Sequence, residues 1–256
     1  MTMPQLDLAF DDNLGYPEGL PEQIEQHVSD ALGAPWRCVT TSFHELDQMI
    51  DAFVDGRAQL MFLPCGCFPY VSSPLAVIGQ ATTGDDRRRT LTSVLVVRSD
   101  TDAQDLASAA GLRFGCINRF CTTSYWAPSF VDQLHPPGGD GPALEWVGGF
   151  DDLVASVCDG RAEAAMVWEP YLRKHADEAD RWRELDRQTD LPAPVLVADP
   201  SLDPGLLDAL RAVVPLQSSS HELFNGLADP DRRHIEAFCD HLRRADPAAK
   251  LAPLVW

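Results

Sequence analysis

From Leu112 to Pro128 the chain reads Leu-Arg-Phe-Gly-Cys-Ile-Asn-Arg-Phe-Cys-Thr-Thr-Ser-Tyr-Trp-Ala-Pro, a short apolar strand that runs into a hydroxyl-rich turn. The chemistry this permits is anion binding. The pattern predicts a helix opening at 121–124. The first amides of a helix have no partner inside it, and the aligned peptide dipoles leave about half a positive charge there. Thr122, Thr123 and Ser124 add hydroxyl donors at the same point. An ordinary Thr or Ser N-cap without ligand uses the same residue types, so both readings stand on this segment alone.

A second chemistry is available to thiols. Cys65, Cys67, Cys116 and Cys121 fall in or near predicted turns, and soft thiolates select zinc, copper(I) or iron. The cofactor the sequence allows is therefore a thiolate-bound Fe, Cu or Zn. The competing reading takes Cys116 as a buried strand residue and the others as small packing residues, since Cys-x-Cys with Cys-x4-Cys is not a standard zinc spacing. Glu169 follows an apolar strand, where a carboxylate can bind a ligand amine, coordinate a metal, act as a general base or close a salt bridge. His-x3-His, Walker A, Gly-x-Gly-x-x-Gly and Gly-x-Ser-x-Gly patterns are absent from the sequence.

Composition narrows the partners. With 39 acidic against 20 basic residues the formal charge is −19, which repels nucleic acid and anionic membrane surfaces. The basic run Arg87-Arg88-Arg89 sits beside Asp85 and Asp86 and reads as a solvated connection. Nothing approaches the roughly 20 apolar residues that a membrane span needs. The chain opens Met-Thr-Met-Pro-Gln and enters a strand directly, which predicts a cytoplasmic protein as written, and a periplasmic or extracellular one if a leader precedes it. Seven cysteines, an odd number, argue for reduced thiols rather than a disulfide framework.

The elements that must position these residues alternate. Strands are predicted at 6–10, 36–41, 59–64 and 74–80, with helices at 20–33 and 44–55, the rhythm of parallel βα units. A buried strand at 92–98 then leads into helix 103–110, strand 112–117, a Pro/Gly-rich turn at 136–142, strand 144–147, helix 150–159 and strand 163–168. A strand at 193–197 reads as a return crossing, before helices at 204–214 and 229–244.

Several stretches resemble the phosphonate and phosphite binding components of ABC transporters, within the type II periplasmic binding protein fold. Cys121-Thr122-Thr123-Ser124-Tyr125-Trp126-Ala127-Pro128 is similar to that family's Ser-Thr-Ser-Gly-Tyr-x-x-Pro turn. Phe53 to Pro64 resembles its helix-Gly-strand step, and Cys67-Phe68-Pro69-Tyr70-Val71 its Pro-x-Ser-Tyr-Val loop. Gly148 to Val154 and Asp159 to Trp168 resemble its Gly-x-His-x-x-x-Val and Gly-x-x-Asp-Ala-Ala-x-x-Trp segments. The resemblance covers nearly the whole chain. It implies an α/β fold of two lobes, each a mainly parallel sheet flanked by helices, with residues 1–93 and 193–256 in lobe 1 and 94–192 in lobe 2. It also implies a ligand cleft at the hinge, lined by Asp11, Asn13, Thr41, Ser42, Cys67 and Tyr70 from lobe 1. Lobe 2 would contribute Asn118, Arg119, Cys121, Thr122, Thr123, Ser124, Trp168 and Glu169, and the same fold would bring Cys65, Cys67, Cys116 and Cys121 together.

The departures from the family bear on the ligand. Cys121 stands where the family has its first Ser, Ser124 where it has Gly, and Phe150 where it has His. With Asp11, Asp12 and Glu169 nearby, a zwitterion or neutral polar solute suits the charges better than a bare dianion. Two functions follow. One is a solute-binding carrier or receptor that does no chemistry, working with an ABC transporter permease if exported. The other is a cytoplasmic biosynthetic enzyme on the same fold, using the four thiols; the Cys65-Gly66-Cys67-Phe68 turn is loosely similar to the cysteine-rich motif of a thiamin-pyrimidine synthase family. No acid/base or nucleophile pair is fixed by spacing, which favours binding.

Overall fold

Strands and amphipathic helices alternate through the first ninety or so residues, and the strands Leu60–Leu63 and Leu75–Thr82 bury side chains on both faces. Strand β1 is Gln5–Asp11 and β3 is Leu60–Leu63, the latter buried at every position. Helix α1, Leu20–Leu32, places Leu20, Ile24 and Val28 one turn apart on its buried face. Strand β2, Arg37–Phe43, precedes α2, Leu46–Val54, whose Leu46, Met49, Ile50 and Phe53 form the predicted stripe. Gly56, at φ 73°, takes the left-handed conformation that ends this helix. The structure, a computed structural model, describes residues 3–109, 111–127, 142–217, 223–248 and 250–256. The turn expected at 136–142 lies, but for its last residue, outside the described residues, as does Pro128.

The chain divides into two compact units, the first comprising Met1–Arg89, Ala193–Cys239 and Ala248–Trp256, the second Thr90–Pro192 and Asp240–Pro247. In the first unit the described strands form an eight-stranded sheet. It contains β4, Leu75–Thr82, β10, Val195–Ala198, β11, Leu216–Gln217, β12, Gly226–Ala228, and β13, Leu254–Val255. The order is β11-β12-β4-β10-β3-β1-β2, with β13 pairing β4. Strands β2 and β3 run parallel to β1, but β10 lies antiparallel between β3 and β4.

The second unit holds a five-stranded sheet. Its strands are β5, Thr90–Arg98, β6, Phe114–Cys116, β7, Leu144–Trp146, β8, Ala164–Trp168, and β9, Trp182–Pro192, in the order β7-β6-β8-β5-β9. Short helix α3, Leu106–Ala109, precedes β6; α4, Phe150–Cys158, joins β7 to β8; α5, Glu169–Lys174, follows β8. Val94, Val96, Leu153, Val154, Val157, Ala165, Val167 and Leu172 pack as this unit's core. Helices α6, Pro204–Arg211, and α7, Arg232–Ala245, complete the chain. Among the described residues no helix is long and apolar enough to cross a membrane.

Both sheets are mixed rather than mainly parallel, which corrects the expectation. The strands next to the chain crossings are antiparallel, β5 to both β8 and β9 and β10 to both its neighbours, and β12 is likewise antiparallel to β4 and β11. Such a pair needs no crossover helix, whereas a parallel one does. Strand β9 has no counterpart among the predicted elements, because Arg183, Glu184, Asp186 and Arg187 interrupt any apolar run. As the outer strand of its sheet it needs only one buried neighbour, and charge along such an edge discourages unwanted pairing.

Candidate functional site

In the second unit, topology gathers the candidate residues at one end of the sheet. Strands β7, β6 and β8 run parallel, so the segments after Trp146, Cys116 and Trp168 emerge side by side. Strand β5 runs the opposite way and sets Ser93 against Trp168 at that same end. The carboxyl ends of strands in an open α/β sheet are where ligands bind.

The segment after β6 is a tight turn. The helix expected to open at 121–124 is corrected: residues 122–125 are turns, and 121–127 contain no helical residue. The Cys121 carbonyl accepts from the amides of both Tyr125 and Trp126, each at 3.2 Å; the first closes a single α-type turn and the second a wider one. Pro128 also disfavours helical geometry at Ala127. Among the described residues no helix opens at this turn, and what it offers an anion is a set of individual donors.

Those donors are held in place by buried bonds. Thr122, Thr123 and Ser124 are 3%, 2% and 0% exposed. Ser93 Oγ donates to the Thr123 carbonyl at 2.8 Å, and the Ile117 amide donates to Ser124 Oγ at 3.4 Å. Trp126 Nε1 donates to the Arg119 carbonyl at 2.6 Å, and the Phe120 amide to Asn118 Oδ1 at 3.0 Å. Cys121 Sγ accepts from the Ser124 amide at 3.3 Å and lies 3.5 Å from Thr123 Oγ1. Among the described residues, no acceptor is paired with the Thr123 amide. Buried amides without a partner are rare in folded proteins, and they are the donors an oxyanion can use.

The other second-unit candidates take different places. Glu169 Oε1 accepts from Arg187 at 2.9 Å and its Oε2 forms an ion pair with Arg173 at 2.9 Å, so both carboxylate oxygens are engaged. Trp168 is 2% exposed and lies in an aromatic cluster, 6.0 Å from both Phe150 and Tyr171. Phe150 stacks on Tyr171 at 4.6 Å. The aromatic ring that replaces a histidine at 150 thus completes an apolar cluster rather than presenting a polar edge.

In the first unit, β1, β2 and β3 run parallel, and Asp11, Phe43 and Leu63 share their carboxyl end. Asp11 Oδ1 accepts from the amide and side chain of Asn13, at 2.9 and 3.2 Å, and its carbonyl accepts from Gly15 at 2.8 Å. Thr41 and Ser42 lie within β2, exposed on the outer strand and opposite Ala9 and Phe10. Cys67 and Tyr70 belong to a 3₁₀ turn, Cys65–Tyr70, in which Cys67 is buried and Tyr70 half-buried.

Burial pushes the Asp11 carboxyl above the usual carboxylate range, against the lowering pull of Asn13. A raised folded value means that the charge costs stability once pH rises through it, and that the cost vanishes below the ordinary value. Asp11→Asn keeps an oxygen acceptor for Asn13 without the charge. It is expected to raise the urea midpoint at pH 7 and to leave it unchanged near pH 3; equal midpoints at both would reject the burial account.

Among the described residues, no group of three or more His, Cys, Asp or Glu side chains is placed to hold a metal ion. Two of the four candidate thiols donate to backbone carbonyls. Cys65 Sγ donates to the Ala193 carbonyl at 3.4 Å and Cys116 Sγ to the Ser124 carbonyl at 3.6 Å. Burial pushes the Cys65 thiol well up, and pushes Cys116 up to about 12. Protonated sulfur is a poor metal ligand and a poor nucleophile.

Ser93 and Trp146 escape sequence reasoning. Ser93 leaves one signal, a hydroxyl directly before the apolar run Val94 to Val97 that is nevertheless fully buried.

The model of a family described as the periplasmic phosphonate substrate-binding protein of an ABC transporter matches residues 22–216. The chain belongs to this family. No curated protein sequence matches the chain. A Xanthomonas citri protein solved with ATP has a TM-score of 0.76 at 15% identity, covering 96% of this chain and 99% of its own. A binding component of a Pseudomonas aeruginosa ABC phosphonate transporter has a TM-score of 0.68 at 11% identity, covering 95% and 87%. Prochlorococcus marinus PhnD1, solved with methylphosphonate, has a TM-score of 0.65 at 14% identity, covering 94% and 97%. At these identities the likeness is one of fold, the α/β type II periplasmic binding protein fold with two mixed sheets. This member of the phosphonate-binding family is thus a solute-binding protein by family.

Proposed function

We propose that this protein binds a small solute through an oxyanion head of the phosphonate type, gripped by the turn Asn118–Ser124, and does no chemistry on it. The observation that carries the reading is the Thr123 amide, buried without a partner among the described residues, beside the hydroxyls of Thr122 and Thr123. Arg119, in the same turn, supplies the compensating positive charge. The ligands of two relatives support the class: methylphosphonate in PhnD1 and ATP in the Xanthomonas protein both present phosphorus-bound oxygens. The raised thiols and the fully engaged Glu169 favour binding over catalysis.

Titration of the purified protein with methylphosphonate, inorganic phosphate and sulfate by calorimetry and thermal melting tests this. Methylphosphonate is expected to bind at one site per chain and to raise the melting temperature in proportion to ln(1 + [L]/Kd). No shift with any of the three at millimolar concentration would remove the oxyanion reading.

A further inference from the structure

Next to the turn stands an aromatic pair that the oxyanion site does not need. Tyr125 follows Ser124 directly, and its ring stacks on Trp146 with centroids 6.2 Å apart and planes 28° from parallel. Trp146 is 53% exposed, the most exposed of the large apolar side chains among the described residues. Burying such a side chain is favourable, and a large aromatic left open beside a binding turn has surface to offer a ligand. The position of Trp146 is set by topology, not by a loop: it is the last residue of β7 and the register partner of Cys116, the last residue of β6. Neighbouring strands lie about 4.8 Å apart, so Trp146 stands one strand away from the start of the turn.

The near side of the pair is fixed. Tyr125 also meets Trp126 edge-on at 4.9 Å, and Trp126 is tied to the Arg119 carbonyl. Tyr125 therefore backs Trp146 with a ring held by the same residues that shape the turn. A stack of two rings with most of the outer one exposed has the geometry to accept a third, and flat π systems prefer such offset parallel packing.

We propose that Trp146, backed by Tyr125, is a specificity-determining stacking platform, and that the solute carries a flat aromatic ring on its oxyanion head. This rests on the oxyanion reading above. The head docks on the 118–124 turn and the ring lies on Trp146.

Three phosphonates test the proposal on the full chain. Methylphosphonate has no ring and reports the turn. Phenylphosphonate and cyclohexylphosphonate are close in size, but only the first is flat and aromatic. The expected result is that phenylphosphonate binds about tenfold more tightly than cyclohexylphosphonate and quenches tryptophan fluorescence, and that Trp146→Ala abolishes both the preference and the quenching while Trp146→Phe keeps part of the preference. Methylphosphonate binding with no preference between the two ring compounds overturns the platform and leaves the oxyanion reading intact. A preference that survives Trp146→Ala does the same. Failure of all three to bind overturns both.

Discussion

Replacing Thr122 and Thr123 together by valine is expected to lower affinity for methylphosphonate about 100-fold while the protein stays folded. Valine keeps the branched shape and removes the hydroxyl, so each change leaves a ligand oxygen without one donor in a buried setting. Such a loss costs about 1–3 kcal/mol, or about tenfold or more for each hydroxyl. The two residues are adjacent, so the effects need not add. The Thr123 carbonyl that accepts from Ser93, and the Ser124 hydroxyl that accepts from Ile117, are untouched by either change. Calorimetry gives the affinity, and circular dichroism with a melting curve separates loss of a contact from loss of the turn. An unchanged Kd in a folded double variant would mean that these hydroxyls face no ligand.

The largest stability effect is expected at Phe62→Ala. Phe62 sits in β3, is fully buried, and meets Phe224 edge-to-face with ring centroids 5.4 Å apart. Its strand pairs with β1 on one side and β10 on the other, so the ring cannot be replaced by water or by a shift of an edge strand. Truncation leaves a cavity in a close-packed interior and costs about 3–5 kcal/mol. For a chain of this size that corresponds to a melting temperature lower by about 6–20 °C. A loss under about 1 kcal/mol in urea unfolding would show that the first unit's core collapses around the gap.

Much of the fold was legible because its signals are local. The α1 and α2 stripes need only 3.6-residue spacing, and β3 and β8 need only short runs buried on both faces. Strand β9 was not legible, since its stability comes from pairing along β5 and not from its own apolar content. The same limit applied to the turn. Hydroxyls at 122–124 were visible as residue types, but the shape of the turn that holds them depends on the bonds that Cys121 and Trp126 make. Glu169 shows the limit for charges: its partner Arg187 is eighteen positions away and arrives only through the β8, β5 and β9 pairings.

From its sequence alone this protein was determined to be an acidic α/β chain of the phosphonate-binding family, carrying a hydroxyl cluster after a buried strand. Hydrophobic period, net charge and residue type are properties of neighbours along the chain, and they survive without coordinates. Tertiary structure decided the rest: mixed sheets, Cys65 and Cys116 thiols that donate to carbonyls, a turn over residues 122–125, and an exposed tryptophan beside it. Each depends on a partner distant in sequence, and chain closure over such distances is set by packing, which no local pattern encodes.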